Sequence, residues 1–516
     1  MCKIIRKCTV CVIIALFFYS CEGETPEAED QSGGQGEKTE ETEEDEKVEE
    51  KSFFAQDLTT ETEKPYKLTA ELLAEGKYCN VWVEKSTPNG KETAQKTAEV
   101  YDSKIYPKML NAFDGVDKTE YPNNLGALNN IMDYADALTD KNKKLTILFL
   151  DIKDGYKKGV NNGYTGGYFS PEDFFSVEDF PDSNEQDMIY IDTYPTFEFG
   201  MEGAYETLAH EMQHLMNFTT SWVKRLYDNE ICTMDLWINE GLSSAAEYIY
   251  RGNNKNSKRL AWFNEDREQT IASGNNFYIW GDKSRSILDE YATVYMFFQW
   301  LRIHKGVEIY KKIIVSEEWD YKAVVNAFNA GAGTTMQWED ILKSWFAANR
   351  FKNATGLYGY KGESDFNGIT TRFAPAGPTI TLLPGEGVYS AVVTGGKSIE
   401  EYCTESSGPN IKYAGLSGNA ISEATTTAGG ALLTFNSNTS QDQVDADLET
   451  GNLTNEAPAE PEQSLLFNIA ANAGGGGPFR IEARDILALN KASRDGGGGG
   501  DPAKFNRRQM HDFQNK

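Results

Sequence analysis

The chain has 516 residues, 40% hydrophobic and 12% aromatic, which is enough for more than one buried core, and a formal net charge of −29 at pH 7. That charge, with no basic patch anywhere along the chain, excludes nucleic acid as a partner. After Cys21 only Cys79, Cys232 and Cys403 remain, so there is no disulfide framework and no cysteine-based metal site. A Cys79–Cys232 pair stays open.

Lys3, Arg6 and Lys7 precede an apolar run from Val10 to Tyr19 that is too short to span a bilayer comfortably. The run ends at Phe18-Tyr19-Ser20-Cys21, with a cysteine at the expected cleavage point. This resembles the signal of a bacterial lipoprotein, with Phe18 where leucine is usual. The resemblance implies a signal peptide over 1–21, a lipid on Cys21, and attachment to the membrane at the bacterial cell envelope or surface. The alternative is an ordinary secretory signal with an incidental cysteine. Residues 22–52 are dominated by Glu, with almost no large apolar side chains. Such a stretch cannot bury a core and reads as a disordered acidic tether.

The ordered region starts at Phe53. Tyr78–Glu84 and Leu145–Ile152 read as strands, and Ala127–Leu138 as a helix. Gly163–Phe169 is either a strand, whose glycines permit a bulge or the close approach of another backbone, or a glycine-rich turn. Asp187–Asp192 reads as a strand ending at a turn. A helix follows over Phe197–Phe218, with Tyr205, Leu208, Met212, Leu215 and Met216 at helical spacing and no proline after Pro195.

This helix carries His210-Glu211-Met212-Gln213-His214, and so two of the chain's four histidines. Residues four apart share a helix face, so both imidazoles can grip one metal ion. Glu211, beside the first, can reach a water on that ion. The arrangement binds zinc and supplies a general base together. Catalytic zinc takes three protein ligands and leaves a position open, whereas structural zinc is closed by four Cys or His. Glu240, in Trp237-Ile238-Asn239-Glu240-Gly241-Leu242-Ser243, is the candidate third ligand. The small residues after it allow close packing against the first helix. The plainer reading of Glu240 is a first-turn acid favoured by the helix dipole.

Helices continue over Lys258–Phe263, Ser284–Lys305, Val307–Val315 and Trp338–Phe351. From about Gly368 the texture turns to strands, at Thr379–Leu383, Val388–Val393 and Ala431–Phe435, separated by Gly, Asn and Ser. This predicts a β-rich module of sandwich type. Glycine runs at 474–477 and 496–500 read as connectors, and His511 in the polar tail as solvated. The fold class is therefore α+β.

The segments Thr207–Asn217 and Trp237–Ser243 together resemble the hyicolysin family of zinc metallopeptidases, within the thermolysin-like gluzincin clan. The resemblance covers roughly Phe53–Thr355. It implies a thermolysin-like catalytic domain over 53–360, with a small mixed sheet and a mainly helical second half. The β-rich module then occupies 361–490, and a linker and tail 491–516. By position, His210, His214 and Glu240 are the Zn2+ ligands and Glu211 the catalytic residue of a surface-anchored zinc metalloendopeptidase that hydrolyses proteins or peptides. Related gluzincins use a tyrosine or histidine downstream of the third ligand to donate to the substrate carbonyl oxygen, which implies Tyr291 first and Tyr295 second; the plainer reading of either is a core aromatic.

Thermolysin-like members carry an aspartate four residues after the third ligand to support a histidine. Ser244 stands there, leaving Glu247 as a candidate, or as an ordinary exposed glutamate. Gluzincin aminopeptidases use a Gly-x-Met-Glu-Asn strand well before the HExxH helix. Gly200-Met201-Glu202-Gly203 nearly abuts the helix and lacks the Asn, which favours an endopeptidase. His304 reads as structural, a cation at a helix C-terminus. A different class of function, a surface adhesin or host-protein binder on a peptidase-like scaffold, would share the anchor and β-rich module. The intact His210, Glu211, His214 and Glu240 weigh against it. No feature of the sequence sets an oligomeric state.

Overall fold

The computed structural model describes residues 13–17, 48–59, 65–113, 144–160, 163–174, 177, 180–222, 234–255, 257–266, 271–274, 287–331, 333, 335–373, 382, 384–392, 397–403 and 410–439. Cys21, most of the acidic tether, the helix expected over Ala127–Leu138, Cys232, the strand expected over Thr379–Leu383 except Leu382, and everything beyond 439 lie outside these residues. Cys79 is buried with a free thiol.

Strands β1 (Ile13–Phe17), β2 (Glu50–Ala55), β3 (Tyr66–Glu75), β4 (Cys79–Glu84), β5 (Leu145–Leu150), β6 (Tyr164–Phe169) and β7 (Met188–Asp192) form one seven-stranded sheet in the order β1-β6-β7-β5-β4-β3-β2. The β4-β5-β7 centre is parallel and the flanks are antiparallel. β5 and β7 bury every residue, which is why they read as continuous apolar runs rather than alternating ones. β2 starts three residues inside the expected tether. Its Phe53 and Ala55 are buried, while Glu50 pairs with exposed Lys85 at 2.6 Å.

Gly163–Phe169 resolves as a strand, and its glycines do both things expected of them. The β1 pairing shifts register between Ala15↔Gly167 and Leu16↔Thr165, so Gly166 is bulged. A Cβ on Gly167 would lie 2.6 Å from the Tyr190 carbonyl oxygen and 2.8 Å from Thr207 Cγ2. The bare glycine lets a helix close onto the sheet at this point.

Helices α1 (Gly90–Val100) and α2 (Tyr106–Phe113) are joined by a π-helical turn, Tyr101–Ile105. The helix expected over Phe197–Phe218 is broken. One turn (Thr196–Phe199) ends at Gly200, whose φ of 100° interrupts the ladder, and α3 then runs over Met201–Asn217. After it come α4 (Leu236–Arg251), α5 (Lys258–Glu265), α6 (Ile287–Lys305), α7 (Glu308–Ile314), α8 (Tyr321–Asn329) and α9 (Trp338–Phe351). From Leu288 to Leu301 every residue of α6 is buried, making it the axis of the helical half.

The last strands, β8 (Gly387–Ala391), β9 (Ile411–Ser417), β10 (Ala420–Ser422) and β11 (Ala431–Asn436), make one antiparallel sheet in the order β10-β9-β11-β8, beside a short helix α10 (Ile399–Cys403). Among the described residues these strands form a single sheet whose second layer is helical. Phe346 of α9 packs on Phe435 with centroids 6.0 Å apart, and Tyr389 Oη donates to the Phe346 carbonyl at 2.7 Å. Tyr389, Leu433 and Phe435 belong to the same continuous core as α3, α4 and α6. Strand patterning alone could not say what covers the inner face.

Candidate metal centre

α3 lies between the sheet and α4, and it is buried from Ala204 to Asn217 rather than along one stripe. Apolar residues fill its contact faces. The polar groups it carries inward, His210, Glu211 and His214, are at most 1% exposed. Burial of three titratable groups in one helix turn is costly unless partners compensate. Their arrangement shows which atoms are compensated and which are not.

The two imidazoles stand one turn apart with ring centroids 4.8 Å from each other. Glu240, in the first half of α4, sends Oε2 to 3.4 Å from His210 Nε2 and 3.6 Å from His214 Nε2. All three of these atoms are buried without a hydrogen-bond partner. Ligands about 2.0–2.1 Å from a tetrahedral zinc lie about 3.3–3.4 Å from one another, so the observed edges fit that ion. Potential ligand atoms of His210, Glu211 and His214 also lie within 4.8 Å of one another. Glu240 Oε2 is the orphaned oxygen that faces both Nε2 atoms, and Glu211 lies beside it.

The opposite edges of the rings are held. His210 Nδ1 meets Glu247 Oε1 at 3.0 Å. His214 Nδ1 meets Ser243 Oγ at 2.8 Å and Asn239 Oδ1 at 3.2 Å. Ser243 in turn donates to Gln213 Oε1, and Asn217 Nδ2 donates to Asn239. With Nδ1 protonated and engaged, each ring presents the Nε2 lone pair inward. Burial pushes both imidazoles toward the neutral form. In His210 the carboxylates of Glu240 and Glu247 outweigh it and hold the ring above the usual histidine range. In His214 burial prevails, reinforced by His210, and holds the ring well below that range.

Glu247, one of two readings left open by the sequence, is therefore the carboxylate that supports His210. It is 2% exposed, not a surface glutamate. Ser244, at the thermolysin-like position, is buried and its hydroxyl bonds neither histidine. Asn239 and Ser243 were not singled out from sequence. Their i, i+4 spacing on α4 is the available signal, since Asn239 immediately precedes Glu240 and Ser243 falls one turn on.

The structure also separates the two tyrosines. Tyr291 of α6 is 3% exposed, its ring centroid is 6.2 Å from that of His210, and its hydroxyl bonds Glu240. Tyr295 spends its hydroxyl on Asn254 Oδ1, away from the ligands. His304 is structural, as expected, but not as a cation. Its Nε2 meets the Gly359 carbonyl at 2.9 Å, and burial pushes the ring down to about 4. The small residues after Glu240 divide their work. Ser243 meets α3, whereas Gly241 faces Phe298 of α6, whose ring atoms would lie 2.3–2.8 Å from an added Cβ.

No family model matches the chain. The chain is similar to the neutral metalloprotease ShpI of Staphylococcus hyicus, at 29% identity over 318 residues, which cover 60% of this chain and 65% of that protein. That likeness supports a place among metallopeptidases. The matched region spans just under two thirds of the relative's length.

Proposed function

We propose that this protein is a zinc metalloendopeptidase of the thermolysin-like, gluzincin kind, akin to the hyicolysin family and held at the bacterial envelope by a lipid on Cys21. The observation that carries the reading is the convergence of three buried, unpartnered donors, His210 Nε2, His214 Nε2 and Glu240 Oε2, beside the carboxylate of Glu211. Zinc held by those three residues would polarise the scissile carbonyl and acidify a water. Glu211 takes the proton from the water as it attacks and hands it to the leaving amine, so the base becomes the acid. Tyr291 donates to the carbonyl oxygen as negative charge develops there.

Substrate binding follows from the sheet. β6 packs against α3 near Thr207, one turn before His210, and its outer edge pairs antiparallel with Ile13–Phe17. An edge that accepts an extended apolar segment suits a polypeptide substrate held by backbone hydrogen bonds. Gly200–Gly203 opens α3 instead of forming a strand, and Glu202 Oε2 accepts from Tyr250 Oη at 2.9 Å. That supports cleavage within a chain over capture of a free terminus. Among the described residues no helix is long and apolar enough to cross a membrane. The proposed attachment is through Cys21, and fatty-acid incorporation lost in Cys21→Ala is the expected sign of it.

The test is digestion of an unstructured polypeptide with both termini blocked. Internal cleavage that stops with a chelator and returns with zinc is expected, and release of terminal residues alone would contradict the endopeptidase reading. Tyr291→Phe is expected to lower kcat by about 10²–10³ with little change in KM, the usual cost of one lost donor to a developing oxyanion. An unchanged kcat would remove Tyr291 from the mechanism and leave it a packing residue.

A further inference from the structure

We propose that Arg259 is the positioning residue of this centre, locking the carboxylate that aims His210 and seating the ring of Tyr291 from a single buried guanidinium. The inference rests on the metallopeptidase reading and adds to it a residue on a third helix.

The argument starts at the N-terminus of α5. Ser257 caps it, accepting from Leu260 N at 3.2 Å, and fixes the helix so that Arg259 points inward, where it is 5% exposed. Arg259 Nη2 lies 2.9 Å and Nε 3.3 Å from Glu247 Oε1. That same oxygen receives His210 Nδ1 at 3.0 Å. One carboxylate oxygen thus joins the guanidinium to the imidazole, and the two donors together allow it little freedom to rotate. The guanidinium carbon also sits 4.3 Å from the centroid of the Tyr291 ring. A planar cation over an aromatic face is attracted to it, and the attraction strengthens with desolvation. Glu247, only 2% exposed, would be an isolated buried charge without this partner. It would then swing toward any other donor or take up a proton, and His210 would lose its fixed orientation.

A plain buried ion pair that only holds α5 to α4 would have no reason to share its acceptor atom with a candidate ligand. Nor would it need to stack on the tyrosine that contacts Glu240. The carboxylate comes from Glu247 and not from position 244, so it needs its own anchor.

The experiment uses the full chain. Zinc affinity is measured by competition with a chromophoric chelator for wild type, Glu247→Gln, Arg259→Met and Arg259→Lys. Thermal unfolding of each metal-free variant and its kcat and KM at saturating zinc are measured alongside. Loss of the support for a ligand typically weakens metal binding about 10- to 100-fold. Glu247→Gln and Arg259→Met should both fall in that range, with kcat lowered and KM held. Arg259→Lys keeps the buried charge, and so the fold, but loses the fork and the stacking plane. It should lie between wild type and Arg259→Met, and this variant decides the matter even if Arg259→Met does not fold. Wild-type zinc affinity in Arg259→Lys and Arg259→Met, with only the unfolding temperature lowered, would make Arg259 a structural residue and overturn the proposal alone. A wild-type chain that takes up no zinc would overturn it together with the metallopeptidase reading.

Discussion

Glu211→Gln is expected to lower peptide hydrolysis by about 10²–10⁴, the range contributed by a positioned general base, while one zinc remains bound. The amide matches the carboxylate in size, so the buried turn between His210 and His214 has no cavity to refill. It cannot accept the water's proton, and the step that both generates the nucleophile and protonates the leaving amine is lost. Zinc binding should persist because the three converging donors are His210 Nε2, His214 Nε2 and Glu240 Oε2. Zinc content and rate measured on the same sample separate the two roles. Full activity in a zinc-loaded Glu211→Gln would remove Glu211 as the base. Loss of zinc in that variant would mean Glu211, not Glu240, is the third ligand.

Gly241→Ala is expected to destabilise the protein and weaken zinc binding, against what helix propensity predicts. In an exposed helix, glycine to alanine stabilises by about 1 kcal/mol. Here the new Cβ would fall 2.3, 2.5 and 2.8 Å from three atoms of the Phe298 ring. That ring is fully buried and packed against Trp237, Phe297 and Tyr310, so it has nowhere to go. Forcing extra volume into such a core typically costs about 1–3 kcal/mol, which outweighs the propensity gain. The relief available is a shift of α4 away from α6, and Glu240 is the neighbouring residue on α4. Thermal unfolding and zinc competition should therefore both worsen in Gly241→Ala and partly recover when Phe298→Leu is added. A Gly241→Ala protein more stable than wild type would show that the α4–α6 contact is looser than described.

The centre was legible in the sequence because its chemistry is local. HExxH places two imidazoles and a carboxylate within one helix turn, and Glu240 follows in a segment with its own helical pattern. What supports the ligands was less legible, since it depends on how α3, α4 and α5 cross. Ser244 and Glu247 are both spaced to face inward from α4, and only the packing shows that Glu247 reaches His210 Nδ1. Tyr291 and Tyr295 lie one turn apart on a helix buried all round. Periodicity could not separate them, whereas the partner of each hydroxyl does. The central strands β4, β5 and β7 are readable from short apolar runs, whereas the glycines of β6 fit a strand and a turn equally well. β3, with the sequence Tyr-Lys-Leu-Thr-Ala-Glu-Leu-Leu-Ala-Glu, is built largely of good helix formers and was passed over. It is a strand because β2 and β4 pair with it on both sides, and such tertiary context overrides propensity. The C-terminal strands were recognised as strands, but the helical layer beneath them was not, because alternation reports burial and not the identity of the cover.

The most direct test of the central claim is a titration of zinc into the metal-stripped full chain, with cleavage of an unfolded protein as the readout. Cleavage that is absent at the start, rises with added zinc and levels off at one equivalent per chain is the predicted result. Undiminished cleavage by the stripped protein, or zinc uptake at His210, His214 and Glu240 with no cleavage of any unfolded polypeptide, would contradict it.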